Sequence, residues 1–423
     1  MSLIEKVLIL DDNESNLLFF EVLFGQLTGQ YKVFTATTGA QGVSLVKLQH
    51  IQFVVSAWEM NPMPGTIFIQ KIRKDRVNAH LPCLIYSKKM TDEDIALTTE
   101  LSLNNIIKMP FDKSQVRDII TKMIADEENI TSIEKKLRKV EFLSGEGKYS
   151  DALNQINESV MQKSPEGRGF ALAGEAWLGM RNFEKAEEYL KKALAINPGN
   201  FQASRLLAKC YSQMGRHEES IAILEQRLSE SPKSLISLLS LGSAYASANQ
   251  YDNAREVFNR VEKVDKEFEG LNDERGILAF REGNISLAAK FLAETTQGDE
   301  IARSFNDLGI AQISVKSFDK GITLYLNAIS LLKEKAKLHL LKYNLALAYY
   351  KKSDLENSFS YFCESYLEEP SYEKAYSSLA KVSKELKLAG KAADRSLVEK
   401  VKEARLLFKE VTPKAPEVED EAV

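Results

Sequence analysis

Apolar and small residues recur at helical spacing through most of this chain, and the clearest example runs from Gly167 to Asn200. Residues three and four apart share one face of a helix, so the spacing in this stretch predicts two amphipathic helices. Their apolar faces carry Phe170, Ala173, Gly174 and Trp177 in the first helix, and Ala186, Leu190 and Ala193 in the second. Arg181 and Asn182 are expected to form the turn, and Pro198 ends the second helix because proline cannot extend it.

This stretch is 34 residues long, and the same pattern returns on both sides of it. The period and the small/large pattern resemble the tetratricopeptide repeat (TPR), a two-helix unit that stacks into a solenoid. The predicted repeat region is 132–390, with units at 132–166, 167–200, 201–234, 235–268, 269–301, 302–335 and 339–372 and a final half-unit. A charged helix at 391–408 is expected to close the open end of the solenoid, and the acidic residues 409–423 are expected to be a disordered tail.

Residues 1–128 follow a different pattern, in which short apolar runs alternate with amphipathic stretches. Continuous apolar runs are typical of parallel strands that helices cover on both faces. The predicted strands are Lys6–Leu10, Tyr31–Thr35, Phe53–Ala57, Cys83–Ser87 and Ile106–Lys108, and the predicted helices are Glu14–Leu27, Ala40–Leu48, Thr66–Lys74, Thr91–Leu101 and Lys113–Ala125. The predicted fold is therefore a doubly wound, flavodoxin-like α/β domain followed by an all-α superhelix. No Pro- or Gly-rich linker joins the two parts, so the α/β domain is expected to abut the first repeat.

Polar residues stand where three of these strands end, the edge at which open parallel sheets bind ligands. They are Asp11 and Asp12 after the first strand, Ser87 at the end of the fourth and Lys108 at the end of the fifth. Their order and spacing resemble the receiver domain of bacterial response regulators. The resemblance implies that the acidic pair binds Mg²⁺, that an aspartate ending strand three accepts a phosphoryl group, and that the hydroxyl and the lysine contact that group.

The residue at the acceptor position is Ala57, whose methyl group can neither attack phosphorus nor ligate a metal. Two further departures from the receiver pattern are Asn105, where the family often has an aromatic residue, and Met109, which separates Lys108 from Pro110 and puts the family's Lys-Pro turn in doubt. Together these departures predict a pseudo-receiver that needs no cofactor and binds Mg²⁺ weakly at best, through Asp11 and Asp12.

Three alternatives stay open for this pocket. Ala57 is either natural or an engineered replacement of aspartate, and the changes at Asn105 and Met109 favour the natural alanine. Glu59 lies in the loop two residues further on and is not expected to serve as the acceptor. Lys108 is hypothesised to pair with Asp11 or Asp12, which would neutralise the pocket permanently.

Composition limits the classes of partner. The formal net charge of −4 gives no sign of the basic face that nucleic-acid binding favours. No apolar run is long enough to span a membrane, and the N terminus does not read as a signal peptide. The three cysteines, Cys83, Cys210 and Cys363, have no metal-ligand spacing and fit a reducing cytoplasm.

The resemblance to TPRs implies a groove, lined by the first helix of each unit, that binds a protein or peptide. The predicted groove residues of the early units are charged or polar: Arg168, Glu175, Gln202, Arg205 and Lys209. Those of the later units are mainly apolar or aromatic: Ile236, Leu239, Phe280, Tyr343 and Tyr350. The alternative for the later units is that superhelical curvature buries these residues against neighbouring repeats.

The expected function is that of a cytoplasmic, bacterial signalling adaptor without enzymatic activity. A sensor kinase or another regulator is expected at the receiver, and a protein or peptide in the TPR groove. One alternative is a phosphorylation-dependent two-component regulator whose acceptor was replaced. A second is a TPR assembly scaffold with a structural receiver. A homodimer through residues 91–125 of the receiver stays open.

Overall fold

The structure is a computed structural model, and it describes residues 4–75, 78–391 and 393–411, with side chains as far as residue 408. The predicted acidic tail at 409–423 therefore lies almost entirely outside the described residues. The chain divides into two compact bodies, Met1–Leu271 (the first body) and Asn272–Val423 (the second body). No helix in the described ranges is long and apolar enough to cross a membrane.

The N-terminal α/β domain, described over residues 4–75 and 78–128, contains one five-stranded parallel sheet in the order β2-β1-β3-β4-β5. Its strands are β1 (Lys6–Leu10), β2 (Lys32–Ala36), β3 (Phe53–Ala57), β4 (Cys83–Ser87) and β5 (Asn105–Lys108). Its helices are α1 (Glu14–Gly25), α2 (Gly39–Gln49), α3 (Gly65–Lys74), α4 (Asp92–Glu100) and α5 (Lys113–Glu128). Every residue of the central strands β3 and β4 is buried, whereas the edge strands β2 and β5 are partly exposed. The predicted doubly wound α/β fold is confirmed.

Side-chain caps fix where four of these helices begin. Asn13, Thr38, Thr91 and Asp112 each accept a hydrogen bond from a backbone N–H of the first helical turn. Such caps satisfy amide groups that have no partner inside the helix. At α4 the cap is reciprocal, because Asp94 also accepts a hydrogen bond from the backbone N–H of Thr91.

An all-α region begins at Ser132. In the first body it comprises α6 (Ser132–Gly145), α7 (Tyr149–Gln155), α8 (Glu158–Lys163), α9 (Arg168–Gly179), α10 (Phe183–Ile196), α11 (Phe201–Gln213), α12 (His217–Glu230), α13 (Leu235–Ser247) and α14 (Tyr251–Val264). It continues through α15 (Leu271–Arg281), α16 (Ile285–Phe291), α17 (Gly298–Ser314), α18 (Phe318–Leu332), α19 (His339–Lys351), α20 (Leu355–Glu368), α21 (Glu373–Leu388) and α22 (Arg395–Val411). The predicted all-α TPR-like superhelix is confirmed as a fold class.

A backbone residue with positive φ separates the two helices of each pair. The early positions, Gly147, Arg181, Gly215, Asn249 and Gly283, each lie 34 residues after the one before. The N–H of the following residue donates to a carbonyl five residues back, as from Asn182 to Trp177, which ends the first helix in a Schellman-type turn. The 34-residue period is therefore visible in the backbone conformation, even where the residue with positive φ is arginine or asparagine instead of glycine.

Two helices depart from the predicted pattern. The second helix of the first pair is split into α7 and α8, because Ile156 and Asn157 are extended and the Asn157 side chain caps α8 at Val160 N. The last helix, α22, begins at Arg395 rather than at residue 391, because the Asp394 carboxylate accepts from Ser396 N and starts it there. Within the second body, α22 packs on α20 and buries Val401 and Arg405.

Close helix packing within a repeat depends on glycine at a few positions. Gly242 of α13 faces Phe258 of α14, whose side chain is 1% exposed, and a Cβ at Gly242 would overlap that ring. Gly25, at the end of α1, has no atom within 4 Å of the corresponding Cβ position and therefore offers a matched control.

We predict that Gly242→Ala destabilises the first body by about 2 kcal/mol, because a fixed buried ring must move to admit the methyl group. Gly25→Ala should be neutral or stabilise by roughly 0.5 kcal/mol, since it only lowers the entropy of the unfolded chain. Urea unfolding followed by circular dichroism measures both. Equal midpoints for Gly242→Ala and the native chain would contradict this account of the packing.

Candidate functional site in the N-terminal domain and its contact with the repeats

The sheet brings the predicted site residues to one edge. In the strand register Leu10 lies beside Ser56, Ala57 beside Tyr86, and Ser87 beside Lys108. Asp11 and Asp12 follow β1 directly, so all five predicted positions meet at the carboxyl ends of the strands. We call the set Asp11, Asp12, Ala57, Ser87 and Lys108 the strand-end pocket.

Asp11 is 2% exposed and is held by three donors. Its Oδ1 accepts from Asn13 N at 2.8 Å, and its Oδ2 accepts from Asn16 Nδ2 at 2.7 Å and from the Tyr86 hydroxyl. Burial and the hydrogen bond to Asp11 raise the pKa of Tyr86, so its hydroxyl stays protonated and remains a donor. These bonds use most of the acceptor capacity of the Asp11 carboxylate.

The loop between β3 and α3 ties the two sides of the strand-end pocket together. On one side Asp12 Oδ2 accepts from Asn61 N at 2.9 Å. On the other side the Glu59 carboxylate accepts from Ser87 Oγ at 2.5 Å, and Ser87 Oγ accepts from Lys89 N at 3.1 Å. Ser87 is 2% exposed, so its hydroxyl is turned into the protein and toward Glu59 rather than toward solvent.

Lys108 ends β5 and is exposed. Among the residues that the structure describes it forms no ion pair within 4 Å, with Asp11, Asp12 or any other carboxylate. The hypothesis of a permanent Lys108 pair with Asp11 or Asp12 is therefore not met in this structure. Physically, the Asp11 carboxylate is already satisfied by neutral donors, and Lys108 stays in solvent.

The turn after Lys108 also differs from the expectation. Met109 N donates to Ser87 O at 2.8 Å, and the Met109–Pro110 peptide bond is cis. A cis proline bond is thus present in this turn, between Met109 and Pro110 rather than directly after Lys108. Phe111 follows and packs against the Tyr86 ring at 5.6 Å between centroids.

The residues of the strand-end pocket fit a divalent cation poorly. Mg²⁺ prefers carboxylate oxygens in octahedral geometry, whereas Asp11 already accepts three hydrogen bonds and position 57 has no oxygen in its side chain. No group of three or more His, Cys, Asp or Glu side chains that could hold a metal occurs in the part of the chain that the structure describes.

A second set of polar residues joins the N-terminal domain to the repeats of the first body, and we call this contact the domain–repeat interface. Gln70 of α3 is 1% exposed; its Oε1 accepts from Leu235 N at 2.7 Å, and its Nε2 donates to Lys233 O at 3.3 Å. Lys71 Nζ lies 2.7 Å from Asp265 Oδ2, and both side chains are nearly buried. The amide of Gln70 therefore satisfies backbone groups at the start of α13 and just before it.

Helix α4 forms the next part of the domain–repeat interface. Lys233 Nζ lies 2.8 Å from Asp94 Oδ1, and Glu100 Oε1 accepts from Ser234 Oγ at 2.6 Å and from Ser237 Oγ at 2.9 Å. Burial alone would raise the pKa of Asp94, but hydrogen bonds from Lys233 and Thr91 outweigh it and lower the pKa to about 2. Asp94 is therefore ionised at neutral pH and pairs with the repeat lysine.

The third part is a cluster around His80, in the segment before β4. His80 contacts the Glu141 carboxylate of α6, and Arg168 Nη2 of α9 lies 2.8 Å from His80 Nε2. Arg168 also binds Glu134 at 2.9 Å and Glu141 at 3.0 Å. Burial and the Arg168 charge lower the pKa of His80 to about 3, so the ring is neutral at neutral pH. Burial also raises the pKa of Glu141 well above its usual range.

The predicted groove residues of the first body fall into two groups. Arg168 contacts the N-terminal domain through His80, and Leu239 is buried at 6% exposure. Glu175, Gln202, Arg205 and Ile236 are partly exposed, and Lys209 is exposed. At Arg168, an expected binding position for a partner is thus taken by the chain's own N-terminal domain.

In the second body the predicted groove residues pack on neighbouring helices. Phe280 is 5% exposed and stacks on Phe305 with 3.8 Å between ring centroids. The Tyr350 hydroxyl donates to Glu385 Oε1 at 2.8 Å, and Tyr343 packs edge-on against Tyr372. Phe280 is therefore buried, as the alternative predicts, whereas Tyr343 and Tyr350 are partly exposed and packed on neighbouring helices.

Several residues at these sites had no signal in the sequence. Tyr86 reads as one more apolar residue of β4, and Gln70 and His80 read as surface positions. The position of Gln70 among the apolar residues of α3 is the one sign in the sequence of such a contact, since a buried polar group needs a partner. Lys233 and Asp265 lie in joins between repeats, where charge is ordinary.

Comparisons of the sequence with known families and proteins match the N-terminal domain and part of the all-α region separately. The family described as "Response regulator receiver domain" matches residues 7–121, and two families described as "Tetratricopeptide repeat" match residues 178–239 and 211–271. Chemotaxis protein CheY-3 of Vibrio cholerae is 27% identical over 118 residues, which are 28% of this chain and 90% of that protein.

Two solved structures illustrate the likeness of each part. The APC/C hetero-tetramer Cut9-Hcn1 matches with 18% identity and a TM-score of 0.40, over 62% of this chain and 52% of that chain, so this chain spans about half of its length. Chemotaxis protein CheY4 of Vibrio cholerae matches with 18% identity and a TM-score of 0.27, over 28% of this chain and 98% of that chain. The family matches alone show that the chain consists of an N-terminal response regulator receiver domain followed by tetratricopeptide repeats.

Proposed function

We propose that this chain is a cytoplasmic bacterial signalling adaptor in which a phosphorylation-incompetent receiver is a fixed part of a TPR scaffold. The receiver contributes a docking surface, the repeats bind a protein or peptide partner, and no reaction is catalysed. The single observation that supports this most is Ala57 at the acceptor position of a receiver whose α3 and α4 are bound to the repeats.

The chemistry of the strand-end pocket supports the loss of phosphorylation. An acceptor must supply a carboxylate oxygen that attacks phosphorus, and a methyl group cannot do so. Asp11 already accepts hydrogen bonds from Asn13, Asn16 and Tyr86, which leaves little capacity for a cation. We propose that the chain works without Mg²⁺ or any other cofactor.

The domain–repeat interface supports the adaptor role. Receivers that act as switches need a surface that is free to change partners, whereas here Gln70, Lys71, Asp94 and Glu100 are engaged by repeats of the same body. A buried amide and one nearly buried ion pair, Lys71 with Asp265, favour one fixed arrangement, because separation would leave polar groups without partners.

The repeats are the proposed binding region for another protein. In the second body Ile310 of α17 and Leu340 of α19 are 42% and 36% exposed. Exposed apolar side chains on the first helices of repeats are suited to a protein or peptide rather than to nucleic acid, and the net charge of −4 agrees with that.

A phosphorylation-dependent regulator with a replaced acceptor is the second candidate. It is favoured by one observation, namely that Asp11, Asp12, Ser87 and Lys108 still meet at one edge of the sheet. The two candidates make opposite predictions for the native chain and for a variant that restores the carboxylate.

We predict that the native chain incorporates no phosphoryl group from acetyl phosphate in the presence of Mg²⁺, because position 57 has no nucleophile. Ala57→Asp is the matched variant, and Asp11→Asn in that background is its control. Labelling is measured by intact mass after quenching at low temperature. A labelled native chain would overturn the adaptor proposal, whereas labelling of Ala57→Asp alone would assign the loss to that one residue.

We predict that Lys71→Glu loosens the receiver from the repeats, at a cost of about 2 kcal/mol, because it sets two like charges side by side in a nearly buried contact. Lys71→Glu with Asp265→Lys should recover at least half of the loss, and Lys122→Glu on the exposed face of α5 should change nothing. Hydrogen exchange over residues 66–74 and 262–270 measures the effect. If the double variant exchanges as fast as Lys71→Glu, the ion pair does not hold the interface.

A further inference from the structure

The loop from Trp58 to Pro64 lies across the mouth of the strand-end pocket and is tied down on both sides. Trp58 N donates to Tyr86 O at 2.8 Å, and Gly65 N donates to Trp58 O at 3.0 Å, so the loop leaves and re-enters regular structure at fixed points. Between these points Asn61 N binds Asp12, and Glu59 binds Ser87. The loop is thus fastened to the ends of β1 and β4 by charge-assisted hydrogen bonds.

Of these two contacts, the one between Glu59 and Ser87 is the more informative, because it provides a partner for a buried hydroxyl. The Ser87 hydroxyl is buried, and a buried hydroxyl without a partner is costly. Glu59 Oε1 accepts from this hydroxyl at 2.5 Å and lies 3.5 Å from Lys89 N. A carboxylate from the exposed loop residue Glu59 therefore supplies the negative charge at the point where the hydroxyl and the loop after β4 converge.

We infer that the Glu59 carboxylate is the built-in anion of this receiver, which closes the strand-end pocket and fixes the loop between β4 and α4 without phosphorylation. This inference rests on the proposed function and adds a positioning residue to it. An added phosphoryl group would have to displace Glu59 from Ser87, because both would accept a hydrogen bond from the same hydroxyl. The residues at the pocket therefore serve each other rather than a missing cofactor.

The loop fixed by Glu59 leads directly into the domain–repeat interface. Lys89 N is bonded to Ser87, and Thr91 begins α4 through its reciprocal bonds with Asp94. Thr91 Oγ1 and Asp94 Oδ1 both bind Lys233 Nζ, at 3.2 and 2.8 Å. Through these contacts the position of Glu59 sets the position of the helix that holds Lys233.

The first test uses the native chain with single substitutions of Glu59. Glu59→Met removes the charge and the acceptor at similar length, and Glu59→Gln keeps a neutral acceptor. We expect amide exchange over residues 87–91 to rise about ten-fold in Glu59→Met and by less in Glu59→Gln, because the loss of a hydrogen bond to a charged group weakens local order by that factor. Glu21→Gln, on the exposed face of α1, should leave this segment unchanged.

The second test measures competition for the pocket. In the Ala57→Asp background, binding of beryllofluoride with Mg²⁺ is measured by isothermal titration, with and without Glu59→Met. We expect about ten-fold tighter binding in the double variant, since the internal carboxylate no longer competes for Ser87. Ala57→Asp with Glu21→Gln serves as the control and should match Ala57→Asp alone.

The outcomes separate this inference from the proposed function. Faster exchange in Glu59→Met and tighter binding in the double variant support Glu59 as the built-in anion. Unchanged exchange, or equal binding with and without Glu59→Met, overturns it and leaves the adaptor proposal standing. Phosphorylation of the native chain overturns the adaptor proposal, whatever Glu59 does.

Discussion

The buried amide of Gln70 is the contact on which the arrangement of the first body depends. It lies on the receiver helix α3 and bonds to the backbone at Lys233 and Leu235, where two repeats join. Backbone groups in such a join have no partner in a helix. Because the Gln70 amide binds both an N–H and a carbonyl there, it fixes the position of α3 relative to the start of α13. Two ion pairs, Lys71 with Asp265 and Asp94 with Lys233, also join the receiver helices α3 and α4 to the repeats.

The strand-end pocket follows the same principle on a smaller scale, because its polar groups are satisfied from within. Tyr86 and Asn16 hold Asp11, Asn61 holds Asp12, and Glu59 takes the Ser87 hydroxyl. Asp12 and Lys108 are both exposed. The other polar groups of the pocket are hydrogen-bonded within the domain, which leaves little capacity for a charged ligand. The pocket and the domain–repeat interface thus favour one state of the receiver, and α4 connects the two.

The sequence predicts the architecture well and the contacts poorly, for physical reasons. Runs such as Val7–Leu10 and Phe53–Ala57 are apolar throughout, which only a strand buried on both faces explains, so β1, β3 and β4 have the predicted bounds. Helix ends differ from the predicted ends by up to three residues. Helix α5, for example, ends at Glu128 rather than at Ala125, because the apolar pattern does not specify the last turn of a helix. The role of each site residue stays a prediction.

Contacts between distant residues carry no comparable pattern. Gln70, His80 and Glu59 are ordinary surface types, and their partners lie 165, 61 and 28 residues away in the chain. The same limit applies to the apolar groove expected at Phe280, Tyr343 and Tyr350. The helical register identifies the face that these residues share, whereas curvature of the solenoid decides whether that face meets solvent or the next helix.

The central claim is that the receiver is a permanently docked part of the first body rather than a movable switch. Hydrogen exchange of the native full-length chain, with and without Mg²⁺ and beryllofluoride, tests it most directly. The account predicts that α3 and α4 exchange with the same opening free energy as α13 and α14, and that the added ions change nothing, because the four helices open as one unit. Faster exchange in α3 and α4 alone, or a response of these helices to the ions, would contradict it.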